Sequence, residues 1–167
     1  LLDGVNASRS YVFERFTAPD QQVKLKMIAE ACAPGIPAQI VVEANQRILM
    51  DDLPLQMTST LESKEPIHGP IEILFKGNKY RDKLLNQDPP LLSAALFPII
   101  LDDSLWGFIG FDDCLEPREW RESEINYLGV ASELVGSTLK RWKIEDQLAS
   151  TLSNLEQRVE SRTRNLH

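Results

Sequence analysis

Few side chains in these 167 residues have the types and spacing that chemistry requires. The two histidines, His68 and His167, stand far apart and belong to no metal-ligand spacing. No phosphate-binding glycine loop, no G-x-S-x-G and no H-E-x-x-H occurs, so a catalytic role within this stretch is not expected. His167 ends the chain without the surroundings of a phosphoacceptor. Asp112 and Asp113 tempt one to read a metal or acid–base pair. Neighbours on a strand face opposite ways, so the two carboxylates cannot converge. Their simpler role is to bond loop backbone or cap a turn at the strand's end. Cys114 follows them directly; its thiol could form a thioether or sense oxidants, or simply be a small buried residue. Trp106 and Trp120 could line a pocket, with core packing as the plainer reading.

The elements that must carry these residues follow from the hydropathy pattern. Ser8 to Phe16 and Val23 to Cys32 alternate as strands, with Val23, Leu25, Met27 and Ala29 on one face, and residues 17–22 are turn-forming, so the pair reads as a hairpin. Before it, Leu1 and Leu2 read as the last turn of a helix that Gly4 can end. Residues 33–37 break the pattern, and Ala38 to Met50 carries mixed signals, irregular or weakly helical. Pro54 can open a short helix over Leu55 to Ser63. The prolines of residues 66–70 allow only a short edge strand. Asn78 to Gln87 reads as a helix capped by Asn78. Leu91 to Leu101 is a near-continuous apolar run, Asp102-Asp103-Ser104 a tight turn, and Leu105 to Phe111 a second strand, together a buried central hairpin. Trp106, Phe108 and Gly110 are expected on one face of it.

From Trp120 onward there is no proline, and Ser123 and Glu124 suit the positive end of a helix. Gly129 and Gly136 fall seven apart, on one face, where two helices could approach closely. Apolar residues Leu148, Leu152, Leu155, Val159 and Leu166, with Arg162 among them, follow a 4-3-4-3-4 spacing, which is a heptad seam. Unbroken, this helix would run ~70 Å at 1.5 Å per residue. A second copy is the natural cover for its stripe, and Trp142 could pack against its symmetry mate or the sheet. The expected organisation is a domain over residues 1–142 and a linker helix over 143–167.

Composition bounds the function classes. Apolar residues make up 43% and charged residues 26%, which is globular. The net charge is −7, with the body near −9 and the tail from Lys140 near +2, arguing against a nucleic-acid partner. Lys140-Arg141-Lys143 beside Glu145 and Asp146 reads as a solvated face. Cys32 and Cys114 are too few for a disulfide framework, and a reducing cytoplasm is the expected location. The longest apolar run, eleven residues with Pro98 inside, is too short to span a bilayer, which takes ~20. No signal peptide is visible, no direct membrane insertion is expected, and the start at Leu1 reads as a piece of something longer.

Leu105 to Cys114, followed by Glu116-Pro117-Arg118-Glu119-Trp120, resembles the GAF domains of bacterial and archaeal sensor proteins. Ala94 to Leu101 looks like the strand before it in that family, Ser8 to Glu14 like its first strand, and Cys32-Ala33-Pro34-Gly35-Ile36 and Leu53-Pro54-Leu55 also have counterparts. The resemblance covers roughly residues 1–142 in five segments in the right order. Leu155 to Glu160 with Arg162-Thr163 is similar to helical linkers that join sensory domains to histidine kinase cores, and also to PAS domains or diguanylate cyclases. The resemblance implies an α+β fold: an antiparallel sheet of five or six strands flanked by helices, with a long C-terminal helix. It implies a sensory or regulatory module that dimerises through that helix and acts on a kinase or other output in the same chain. Pocket candidates are Phe97, Trp106, Phe108 and Cys114; dimer candidates are the seam residues. The ligand stays open, and there need be none. A haem- or bilin-binding sensor and a ligand-free dimerisation spacer are the alternatives. The bilin cysteine of photoreceptor members usually sits nearer the pocket helix, often followed by His, whereas Leu115 follows Cys114.

Overall fold

The computed structural model describes residues 2–164, so Leu166 of the expected seam and His167 lie outside the described residues. Among the described residues six strands form one antiparallel sheet: β1 (Arg9–Thr17), β2 (Val23–Cys32), β3 (Ile48–Leu49), β4 (Ile67–Pro70), β5 (Ser93–Leu101) and β6 (Ser104–Asp113). Their order is β3-β2-β1-β6-β5-β4, so the two hairpins read from the sequence meet at the central β1–β6 pair. The turn between β5 and β6 holds Asp102 and Asp103 at φ of 49° and 65°. Both central residues in the left-handed region is the hairpin geometry that matches strand twist.

Among the described residues five α-helices accompany the sheet: α1 (Leu2–Val5), α2 (Leu55–Glu62), α3 (Ile71–Leu74), α4 (Arg81–Asn86) and α5 (Glu122–Arg164). Asn6, not Gly4, takes the left-handed conformation after α1, at φ 55°. Asparagine tolerates that region and lies one residue past the last helical one. The helix expected from Asn78 starts later, at Arg81. Asn78 serves the preceding turn instead, accepting the Tyr80 N–H at 2.9 Å and donating to the Asp52 carbonyl at 2.8 Å.

The central strands pack very closely. A Cβ on Gly107 would lie 2.0 Å from the Phe13 carbonyl oxygen, and one on Gly110 would lie 2.3 Å from the Tyr11 ring. Tyr11 pairs with Gly110 across the ladder and lies over it. Tyr11 meets Phe13 edge-on at 5.5 Å, and Phe13 meets Phe108 at 5.3 Å, contacts worth ~0.5–1.5 kcal/mol each beyond burial.

The register slips twice. Between Val12 and Phe13 it leaves Ile28 as the extra residue of β2, and between Ile99 and Ile100 it leaves Trp106 as the extra residue of β6. The second bulge breaks the expected alternation. Leu105 joins Phe108 in the core beneath α2 and α3, and Trp106 is left at the bulge, partly buried.

The sheet separates two packed layers. On one face Tyr11, Phe13, Leu25, Met27, Leu96 and Phe108 meet Met57, Leu61, Ile71 and Phe75 from α2, α3 and the residue after it. On the other, Phe97 packs edge-on against Phe111 at 6.0 Å and faces Gly129 of α5. Compactness divides the chain into residues 1–133 and 134–167. In the second unit Leu148, Leu152, Leu155 and Val159 are 51–65% exposed, and Trp142 is 68% exposed. Among the described residues no helix is long and apolar enough to cross a membrane.

Candidate functional site

A cavity of about 670 Å³ lies between the first face of the sheet and the segments that cover it. Its floor is strand side chains: Tyr11 and Phe13 of β1, Leu25 and Met27 of β2, Ala94 and Leu96 of β5, and Phe108 of β6. Its cover comes from the β2–β3 connection (Gln39 to Arg47), from Ile48 of β3, Met57 of α2, Ile71 of α3 and Leu84 of α4. That size and mostly apolar wall fall within the range of small-molecule sites.

The polar part of the wall is built by register. Arg9 stands between Cys32 of β2 and Asp112 of β6, and all three end their strands on the same side of the sheet. Arg9 and Asp112 are 3% and 1% exposed. The guanidinium Nη1 lies 3.4 Å from Asp112 Oδ2, and Nε lies 3.2 Å from Glu30 Oε1. Tyr11 donates its hydroxyl to Asp112 Oδ1 at 2.8 Å. Glu30 also accepts the backbone N–H groups of Gln39 and Ile40 at 2.8–2.9 Å, which fixes the start of the covering segment. Burying charges is costly, and only dense pairing of this kind offsets it. Burial pushes the Asp112 carboxyl up to about 7, with the nearby charges of Glu30 and Asp113 adding to the rise, while Arg9 and the Tyr11 hydrogen bond oppose it. The Tyr11 hydroxyl is raised well above the usual phenol range, first by burial and then by the Asp112 charge.

Asp113, the next residue, points the other way. Its Oδ1 accepts the N–H groups of Leu115 and Glu116 at 2.7 and 3.0 Å, and its Oδ2 lies 2.8 Å from Arg118 Nε. Arg118 also donates to Glu124 Oε1 at 3.0 Å and to the Val5 carbonyl at 2.7 Å, and its guanidinium lies 4.2 Å over the Trp120 ring. Glu124 Oε2 in turn accepts the Arg121 N–H at 2.8 Å, at the first turn of α5. The cavity wall and the start of α5 are therefore joined through two adjacent residues of one strand.

The family comparison decides what this fold is, for the profile of the GAF domain matches residues 3–139. The chain belongs to the GAF domain family. Relatives of this GAF domain include the methanogenesis regulatory histidine kinase FilI of Methanothrix harundinacea, 30% identical over 160 residues, which are 95% of this chain and 17% of that protein. The circadian input-output histidine kinase CikA of Thermosynechococcus vestitus is 32% identical over 74 residues, 44% of this chain and 10% of that one. The chain thus spans less than a fifth of these relatives. Among solved structures, the blue-light-absorbing form of the Thermosynechococcus elongatus PixJ GAF domain superposes with a TM-score of 0.68 at 17% identity, covering 92% of this chain and 86% of that one. A domain of a two-component sensor histidine kinase protein from Sinorhizobium meliloti gives 0.63 at 13% identity, with 86% of each chain covered. These two share the fold.

Of the four pocket candidates, Phe108 lines the cavity. Phe97 sits on the opposite face against Phe111, because it is one residue out of phase with Leu96. Trp106 lies at the bulge, outside the lining. Cys114 is buried beyond the end of β6, also outside the lining; its N–H donates to the Ser8 hydroxyl at 2.9 Å, and burial raises its thiol above the usual range. Asp113 has the turn-capping role expected of the pair. Asp112 departs from it, since neighbouring strands bury it at the cavity. Arg9, Tyr11, Glu30 and Arg118 had no place among the candidates. The available signal was charge within segments that alternation assigns to a buried sheet.

Proposed function

We propose that this GAF domain is the sensory module of a histidine-kinase-type signalling protein, and that occupancy of its cavity biases the geometry of α5. The observation that carries this is the Asp112–Asp113 pair. Asp112 lines the cavity, and Asp113 is bonded to Arg118, which holds Glu124 in the first turn of α5. A ligand shifts an output only through its different affinities for two conformations. A ligand that draws Asp112 toward the cavity would favour one setting of residues 113–118, and the empty cavity another. In this reading α5 carries the difference onward, paired with a second copy through Leu148, Leu152, Leu155, Val159 and Leu166, to an output domain in the same cytoplasmic chain. The exposed seam within a single chain supports the pairing. The size of the cavity favours a ligand-dependent module over a ligand-free spacer.

Thioether attachment of a tetrapyrrole would need a cysteine on the cavity, and neither Cys32 nor Cys114 lines it. His68, on the edge strand β4, does not line it either, so no histidine among the described residues is placed to ligate a haem there. Absorbance after loading with haem or biliverdin tests that version directly.

Native mass spectrometry tests the main reading. The expected result is a two-chain assembly carrying a non-covalent adduct, and loss of the adduct in Ala94→Trp, which fills the cavity floor. Protein that is adduct-free as purified, and stays so after incubation with a metabolite extract, overturns it.

A further inference from the structure

If the cavity is a ligand site, as proposed above, its buried end constrains what the ligand must offer. Two buried carboxylates there share one guanidinium. The side chains of Arg9, Glu30 and Asp112 are each 2–3% exposed. Arg9 is spread over three oxygens and holds none of them tightly: Nε lies 3.2 Å from Glu30 without a hydrogen bond, Nη1 3.4 Å from Asp112 and Nη2 3.5 Å from the Pro37 carbonyl. Glu30 is further occupied by the two backbone N–H groups of the covering segment. Asp112 is the less satisfied of the two acids. It receives the Tyr11 hydroxyl at 2.8 Å and one long contact from Arg9 at 3.4 Å, whereas a carboxylate has about four acceptor positions. The Tyr11 oxygen, whose O–H donates to Asp112, can itself accept a further hydrogen bond. The buried end is thus rich in acceptors, with two acids to one guanidinium. The other charged lining residues, Glu43, Arg47 and Lys83, are exposed and solvated. Between the two ends the wall is Phe13, Leu25, Met27, Leu96 and Phe108.

We infer that the cavity selects a largely apolar molecule bearing a positively charged nitrogen donor at its buried end, with Asp112 as counter-ion and the Tyr11 oxygen as second acceptor. A carboxylate or phosphate placed there would meet Asp112 as a like charge, with Glu30 beside it. A charge-assisted hydrogen bond shorter than the existing Arg9 contact gives the selectivity.

Three probes with one body and different ends test this by calorimetry at millimolar concentration: tryptamine, neutral 3-ethylindole and indole-3-propionate. Wild-type protein is expected to bind tryptamine at least about tenfold more tightly than 3-ethylindole, as charged hydrogen bonds usually give, and indole-3-propionate most weakly. Asp112→Asn should keep 3-ethylindole and lose the preference for tryptamine. Equal or tighter binding of indole-3-propionate to wild-type protein overturns the inference, whether or not the variant folds. A preference that survives Asp112→Asn overturns it as well. Binding of none of the three overturns the cavity reading itself, and this inference with it; binding without charge preference overturns the inference alone.

Discussion

Replacing Asp112 by Asn removes the carboxyl whose proton affinity burial raises into the neutral range. The ordinary value is 3.8 and the folded value about 7, so the folded chain holds this proton more tightly than the unfolded chain. Between those two values the native state binds more protons, and stability falls as pH rises. Below the window the carboxyl is protonated in both states; above it, ionised in both, and the loss is complete. At 1.36 kcal/mol per unit the full loss is on the order of 4 kcal/mol, and the part between pH 5 and pH 8 is about 2–3 kcal/mol. Asn cannot ionise, so this part of the pH dependence should vanish. Urea unfolding followed by near-UV circular dichroism at pH 5 and pH 8 reads it. With a slope of ~2 kcal/mol per molar urea, the wild-type midpoint should drop by about 1–1.5 M more than that of the variant. Groups elsewhere titrate in both proteins and cancel in the comparison. Equal pH slopes would refute the argument. A reversed sign would mean that Arg9 holds Asp112 ionised below its ordinary range, and that pairing outweighs burial at this site.

Arg118→Ala should destabilise residues 1–133 by about 3 kcal/mol in urea unfolding, because it leaves the nearly buried Asp113 without its counter-ion and uncovers Trp120. Gly110→Ala should cost about 1–3 kcal/mol by the same assay, since the new methyl group meets the Tyr11 ring at 2.3 Å, and displacing that ring breaks its bond to Asp112. Leu152→Asp should turn the proposed two-chain assembly into single chains by sedimentation at micromolar concentration, with the unfolding of the body unchanged, because Leu152 is 53% exposed within one chain.

Much of the sheet is legible in the sequence because alternation and turn residues are local signals. β1, β2, β4, β5 and β6 follow from them nearly residue for residue. β3 is two residues long and α3 four, too short for any period to register, and both exist because β2 and the end of β4 position them. Trp106 shows a different limit. The bulge that displaces it depends on the pairing of two strands, and nothing in the residues 104–113 alone marks the slip. The site is least legible where it matters most. Hydropathy assigns Arg9, Glu30 and Asp112 to water, and only the register of three strands brings them together in the interior. An aromatic on a central strand, such as Phe108, must face one layer or the other. Which layer holds the cavity is settled by segments far away in sequence.

The same register explains why the two aspartates divide their work. β6 is held on both sides, by β1 and β5, and Gly107 and Gly110 let β1 approach so closely that the middle of the strand has no room to shift. Regular pairing ends at Asp113, and residues 114–121 have no helix or strand of their own. A force applied at Asp112 therefore meets a rigid strand on one side and a loop on the other, and the loop is what can yield. Arg118 is the point where such yielding becomes a change in a helix. It contacts the strand end through Asp113, the N-terminal segment through Val5 and the first turn of α5 through Glu124. Coupling in the proposed mechanism needs no extended pathway across the domain. It needs one strand end with two settings, and the alternation of a β-strand has already put the ligand-facing group and the helix-facing group next to each other there.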